Sequence, residues 1–276
     1  MKSRQQMVRV PTSHGEMALH ISGTGSPVCF VHGIPGSAKS FERVAARLEA
    51  GHTVVRADLL GFGASDRPSA SASLLMSGQA RALAEALDAV AVRRCAFVGH
   101  DYGAVVILSL LAHDPARATR FAIAATNVFP DTPIPFPLSL VVHPALGSIA
   151  ERAVFSTVSL SLMLRMASGR GATPDRAAAL GDAGQRRAIR MIFAEALRGL
   201  PTLYPPVRDA LSRVAVPSLV VWGDKDPFFD VEQGRRTADV LPHSRFVVYD
   251  GAGHFIPEER PDLLAADLLT LLAETE

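Results

Sequence analysis

Two hydrophobic rhythms alternate through the first half of the chain. Short, nearly unbroken apolar runs such as "VCFV" and "CAFVG" suit strands buried on both faces. Between them apolar residues return at spacings of four and three, as Leu83, Leu87 and Val90 do, which suits helices with one inward face. The pattern predicts strands at 7–10, 17–22, 28–32, 53–57, 95–99 and 120–125, with helices at 40–48 and 74–90 among them. Strands and helices in such alternation imply β-α-β units and a mostly parallel central sheet flanked by helices, an α/β fold.

From Val128 the rhythm breaks. The stretch "FPDTPIPFPLSLVVHP" holds too many prolines for a ladder or a helix interior. Segments 149–166 and 187–197 then read as helices without intervening strands, with "GRGATPDR" as a loop between them. After "YPPVRDAL" the alternation returns with the strand-like "VPSLVVWG", a helix at 231–240, a strand at 245–249 and a last helix at 261–273. The expected organisation is a core domain made of 1–127 and 206–276, interrupted by a helical cap domain at 128–205. Inside the cap, "AVFSTVSLSLML" is too short to span a bilayer and carries serines throughout, so we read it as a helix lining an internal pocket in preference to a lipid or dimer surface.

Composition narrows the partners. A chain of 276 residues fits one large α/β unit with an insertion, and 20% charged residues, 48% hydrophobic residues and a net charge of +1 fit a soluble globular protein. No basic block tracks phosphates; the arginine pairs 93–94, 186–187 and 235–236 read as solvated faces, so nucleic acid is not an expected partner. The N-terminal "MKSRQQMVRV" has no apolar stretch of signal-peptide length, and no run of about 18 apolar residues occurs, so the expectation is a cytoplasmic protein without membrane contact, a monomer or homodimer. Cys29 and Cys95 both fall in strand-like runs and read as buried free thiols, with no metal and no cofactor assigned.

Four stretches carry candidate chemistry. "GHDYG" is the G-x-S-x-G nucleophile elbow with aspartate, Asp101, at the serine position; the bland alternative is a helix N-cap. "FVHGIPGS" bends after a strand and leaves backbone N–H groups pointing into space, which suits an oxyanion hole built from the N–H groups of Ile34 and Tyr102. By itself it is an ordinary strand-to-helix loop. "VVWGDKDPFF" ends a strand with two carboxylates, Asp224 and Asp226, and "GAGHF" places His254 in a glycine-rich loop before the last helix. A lone loop histidine is usually solvated, yet the order nucleophile, acid, histidine outweighs the bland readings taken singly.

With "HGIPG", "DLLGFGASDRP", "GHDYGA", "WGDKDPF" and "GAGHF" in this order, the chain resembles the α/β-hydrolase fold over nearly its whole length, and more narrowly the aspartate-nucleophile branch of epoxide hydrolases and haloalkane dehalogenases. The resemblance implies Asp101 as nucleophile, Asp226 as the orienting acid and His254 as the base. Some relatives carry the acid after the preceding strand, where this chain has Asn127 and Asp131. Serine must lose a proton as it attacks, whereas a carboxylate of ordinary pKa about 3.9 is already ionised and can displace a leaving group at saturated carbon, giving an alkyl ester. His254 would then activate water against that ester while Ile34 and Tyr102 hold the oxyanion.

The leaving group sets the substrate class. Relatives protonate an epoxide oxygen with two cap tyrosines or a histidine and a tyrosine, and hold a halide with a tryptophan after the nucleophile plus a second tryptophan or an asparagine. Here Tyr102 follows the nucleophile, Ile34 stands at the asparagine place, and the single tryptophan, Trp222, lies in a strand, so the halide pair is missing. The arginines with which fluoroacetate dehalogenases hold a carboxylate are replaced by Tyr102 and Val105. For an epoxide the cap offers Tyr204 and His143, which otherwise read as an interface aromatic and a core histidine. The expectation is cofactor-independent hydrolysis of a small apolar epoxide by water to a vicinal diol. The alternatives are a dehalogenase with unusual halide donors, and a non-hydrolytic cyclase or ligand-binding protein, which would not need all three triad groups.

Overall fold

The computed structural model describes residues 5–134, 136–169 and 175–274, so residues 170–174 of the expected "GRGATPDR" loop lie outside the described residues. Eight strands form one sheet: β1 (Gln6–Thr12), β2 (Gly15–Gly23), β3 (Ser26–Val31), β4 (His52–Ala57), β5 (Cys95–His100), β6 (Ala118–Ala124), β7 (Ser218–Gly223) and β8 (Ser244–Tyr249). Their order is β1-β2-β4-β3-β5-β6-β7-β8. The β1–β2 hairpin is antiparallel and β2 runs antiparallel to β4, while every pair from β4 to β8 is parallel.

Burial explains why the central strands read as unbroken apolar runs. Each residue of β5 and β7 is buried, whereas β1 and β8 at the edges are mostly exposed or half-buried. Along β3 the side chains alternate between two cores. Val28 and Phe30 pack with Val44, Leu48, Leu264 and Leu268, and Cys29 and Val31 pack with Leu83, Leu87, Ile107 and Leu111 on the other face. A parallel sheet covered on both sides in this way is a three-layer α/β sandwich. Both cysteines are buried and free.

Between β6 and β7 the described residues form helices and no strand, and two differences from the expected pattern bear on the site. The helix expected at 149–166 is two helices, Gly147–Val154 and Thr157–Ala167. Ser156 breaks it by taking extended backbone and accepting the Ser159 N–H on its hydroxyl at 3.3 Å, an N-cap that starts the second helix. The other difference is at residue 205, where the expected boundary falls inside the helix Leu200–Ser212, with Pro205 and Pro206 in its interior. Each proline removes a ladder hydrogen bond. Leu200, Tyr204, Val207 and Leu211 nevertheless form a buried stripe at helical spacing that packs on the helix Tyr102–Leu111, and this burial outweighs the loss. No helix among the described residues is long and apolar enough to cross a membrane.

Candidate active site

Asp101 sits at the sharp turn between β5 and the helix Tyr102–Leu111, with φ 48° and ψ −123°. A non-glycine residue in this region costs about 1–3 kcal/mol, so the surroundings must impose it. They do so by close approach: a Cβ at Gly103 would lie 2.2 Å from the Val31 carbonyl oxygen, and one at Gly99 2.5 Å from the Ala104 Cα. The Asp101 N–H donates to the Ala124 carbonyl at 3.0 Å, and the Thr126 hydroxyl donates to the Asp101 carbonyl at 2.8 Å. The side chain makes no N-cap hydrogen bond to its helix. It points instead toward the "HGIPG" bend, where Oδ2 accepts the Ile34 N–H at 2.8 Å. Burial raises the Asp101 carboxyl, opposed by the charge of His254 and by the N–H groups of Ile34 and Tyr102.

His254 reaches the same place from the loop after β8. Its Nδ1 lies 2.8 Å from Asp226 Oδ2, while Asp226 Oδ1 accepts the N–H groups of Phe228 at 2.8 Å and Phe229 at 3.2 Å. The neighbouring Asp224 pairs with Lys225. Burial alone would pull the His254 imidazolium down, but the charge and hydrogen bond of Asp226 and the charge of Asp101 carry it up to about 9. Neither alternative position supplies a hydrogen-bond partner to the imidazole. Asn127 bonds to Phe129, Thr132 and Gln233, and Asp131 pairs with Arg236 at the surface.

Several groups that hold this arrangement gave no sign in the sequence. Glu259 is buried and collects three backbone donors, the N–H groups of Gly169 and Gly253 on Oε2 and that of Phe255 on Oε1, which fixes the loop on both sides of His254. His100 is pushed down to about 3 by burial and by the charge of His254, so it is neutral and its Nε2–H donates to the His254 carbonyl at 2.8 Å. His32 accepts the Leu59 N–H on Nε2, which leaves Nδ1–H to donate to the Gly33 carbonyl and hold the bend that carries Ile34. The spacing of such groups follows no local motif.

Asp101, Tyr102, His254, Ile34 and Tyr204 line one cavity of about 990 Å³, counting its open mouth. Its walls are apolar, with Leu160, Met163 and Leu164 from the helix Thr157–Ala167, so the inner face of that helix does line a pocket; Val158, Leu162 and Met166 on its outer face are exposed. Tyr204 is buried, and its hydroxyl bonds to no described residue. Burial and the charges of Asp101 and Glu195 raise its pKa.

His143 does not join them. It is exposed, and its Nδ1 accepts the N–H groups of Ala145 at 3.2 Å and Leu146 at 3.3 Å, closing a local turn outside the cavity. The expectation that it assists Tyr204 is corrected on that ground. Trp222 is likewise turned away, with its indole N–H donating to the Phe229 carbonyl at 2.8 Å. Among the described residues no cluster of three histidine, cysteine or acidic side chains is arranged to hold a metal ion.

A family model describing the alpha/beta hydrolase fold matches residues 26–261. The chain is 27% identical to epoxide hydrolase A of Mycobacterium tuberculosis, over 91% of this chain and 92% of that protein. It is 26% identical to the cis-3-alkyl-4-alkyloxetan-2-one decarboxylase of Shewanella oneidensis, over 92% of this chain and 84% of that one. The crystal structure of haloalkane dehalogenase DbeA from Bradyrhizobium elkani superposes with a TM-score of 0.83 at 17% identity, over 99% of this chain and 100% of the other.

Proposed function

The chain belongs to the α/β hydrolase fold family, and from that premise we propose that it hydrolyses small apolar epoxides to vicinal diols through a covalent ester on Asp101. The observation that carries this reading is the Tyr204 hydroxyl, which lines the cavity with Asp101 and makes no hydrogen bond to a described residue. A ring oxygen that becomes an alkoxide needs a proton donor of that kind.

In this reading Asp101 Oδ1 attacks a ring carbon and Oδ2, held by the Ile34 N–H, becomes the ester carbonyl oxygen. Tyr204 donates to the opening oxygen. Asp226 keeps the proton of His254 on Nδ1 and so leaves Nε2 to take a proton from water. That water attacks the ester carbonyl, and the N–H groups of Ile34 and Tyr102 hold the oxyanion. Phe228, Phe229 and Phe255 pack around the imidazole with ring centroids 5.1–5.7 Å away and restrict bulk water. Alkylation also removes the Asp101 charge that helps protonate His254, so the first step favours the neutral base that the second requires.

Halide release finds less support. Ile34 and Tyr102 offer no side-chain N–H, the indole of Trp222 is engaged, and the Asn127 amide donates to the Phe129 carbonyl at 3.1 Å. The test is a single turnover in heavy-oxygen water followed by mass measurement of the peptide holding Asp101, with styrene oxide and a bromoalkane run in parallel. Label in that carboxylate and diol from the epoxide are expected. Product with an unlabelled peptide overturns the ester mechanism, and bromide release without diol overturns the substrate class.

A further inference from the structure

The cavity holds a second tyrosine, and a carboxylate stands behind it. Tyr102 is buried, lines the cavity beside Asp101 and Tyr204, and its hydroxyl lies 3.5 Å from Glu195 Oε2. Glu195 belongs to the helix Ala183–Arg198, next to the cavity-lining Ala196. The same Oε2 accepts the Met76 N–H at 3.2 Å, at the start of the helix Met76–Ala89, which lacks a side-chain cap of its own. Tyr102, Tyr204, Asp101 and Glu195 therefore form one cluster in which the charges of Asp101 and Glu195 act on both phenols.

No cation is bonded to Glu195 among the described residues. Of the elements packed against its helix, Ser71–Leu74 and Leu138–Val142 carry no titratable side chain, and Leu200–Ser212 presents Tyr204. Glu151, on the helix Gly147–Val154, is paired with Arg190 and Arg198. Arg81, on the helix that Glu195 caps, is exposed. Burial pushes the Glu195 carboxyl up to about 7, against the lowering effect of the Met76 N–H and the Tyr102 hydroxyl.

We propose that Tyr102 is a second acid of the site, donating with Tyr204 to the leaving oxygen, and that Glu195 is a positioning residue that decides whether the Tyr102 proton is available. The proposal rests on the epoxide reading. A phenol has a single proton. When Glu195 is ionised, Tyr102 donates to it and offers the cavity no hydrogen. When Glu195 is protonated, its O–H donates to the phenol oxygen and the Tyr102 proton is free to turn to the substrate.

Asp101 forms a C–O bond to the ring carbon, the ring C–O bond breaks with its electron pair on oxygen, and that oxygen takes the Tyr102 proton. The phenolate takes the proton of Glu195. His254 later removes a proton from water as the hydroxide adds to the ester carbonyl. The acyl C–O bond breaks with its electron pair on the product oxygen, which takes the remaining proton of that hydroxide and leaves Asp101 a carboxylate. The His254 proton returns to Glu195 through solvent, so the cycle adds one water and no net proton. The ring oxygen gains its donor from the core as well as from the cap, which accounts for a site without a contribution from His143.

The test isolates ester formation in a His254→Gln background, where hydrolysis lacks its base, and follows the Asp101 adduct of styrene oxide by rapid quench and intact mass. In the parent the rate falls by about tenfold or more as pH rises through about 7. With Glu195→Gln added, the amide cannot ionise and the rate stays at its acid-side value. With Tyr102→Phe added, the rate is low and flat with pH. A mere packing role for either residue would change amplitude without moving that pH limb. Ester formation in Tyr102→Phe equal to the parent, or an unchanged alkaline fall in Glu195→Gln, overturns the proposal and leaves the epoxide reading intact. Absence of adduct in the parent overturns both.

Discussion

Asp226→Asn exchanges one buried oxygen for an amide nitrogen at nearly constant volume. Oδ1 accepts the Phe228 and Phe229 N–H groups at 2.8 and 3.2 Å, and Oδ2 faces His254 Nδ1 at 2.8 Å. An asparagine must keep its carbonyl on the two backbone donors, since an NH₂ group cannot accept them. It then presents NH₂ to His254, so Nδ1 must accept and the imidazole proton moves to Nε2. The nitrogen meant for water loses its lone pair. The equivalent exchange in a serine-protease triad costs about 10⁴ in kcat, and we expect a loss of that order here, confined to ester hydrolysis.

Ester formation does not use that lone pair, so the variant should accumulate an adduct of one substrate on Asp101, read by intact mass after styrene oxide. The same substitution carries a pH signature in stability. Burial lowers the His254 pKa, yet Asp226 and Asp101 bring it from 6.5 to about 9, which corresponds to about 3 kcal/mol favouring the cation. Because the folded pKa is the higher one, this contribution is complete below about pH 6.5 and is lost as pH rises through about 9. Urea unfolding should show the larger loss for Asp226→Asn at about pH 6 and the smaller at about pH 10, by up to that amount. Equal losses at the two pH values would refute the charge coupling. Turnover within tenfold of the parent, without adduct, would refute the assigned role.

Three further predictions test the placement of individual groups. His143→Ala should leave epoxide turnover within about twofold of the parent, because the ring closes a surface turn and does not line the cavity; a tenfold loss would put it back in the reaction. Gly103→Ala forces a Cβ against the Val31 carbonyl at the elbow and should cost about 1–3 kcal/mol or more by urea unfolding; an unchanged midpoint would mean that the turn relaxes freely. Glu259→Gln leaves only one oxygen for the N–H groups of Gly169, Gly253 and Phe255, so a loss of about 1–3 kcal/mol with reduced turnover is expected, and wild-type values for both would contradict its role in fixing the His254 loop.

The apolar runs and periodic stretches determined the layered α/β architecture, since a strand buried on both faces and a helix buried on one leave different spacings in any sequence. That Asp101, Ile34, Asp226 and His254 come together was legible for a related reason. Each lies in a short stretch whose glycines or prolines already encode a turn at the end of a strand, and the sheet then sets those turns side by side. The insertion was legible as helical but not in detail. Ser156 caps a new helix where apolar periodicity suggested continuity, and Pro205 and Pro206 enter a helix that their local preference opposes.

Only the tertiary structure decided which insertion side chains share a cavity with Asp101. Tyr204 faces the cavity and His143 faces outward, although neither "TLYPP" nor "VVHPA" carries a signal for direction. Glu195 and Glu259 look like solvated helix acids until packing brings Tyr102 and the His254 loop to them. Tyr102 and Glu195 are 93 residues apart, and contacts of that range follow from how one packed layer docks on another, information that is not present in the periodicity of either segment.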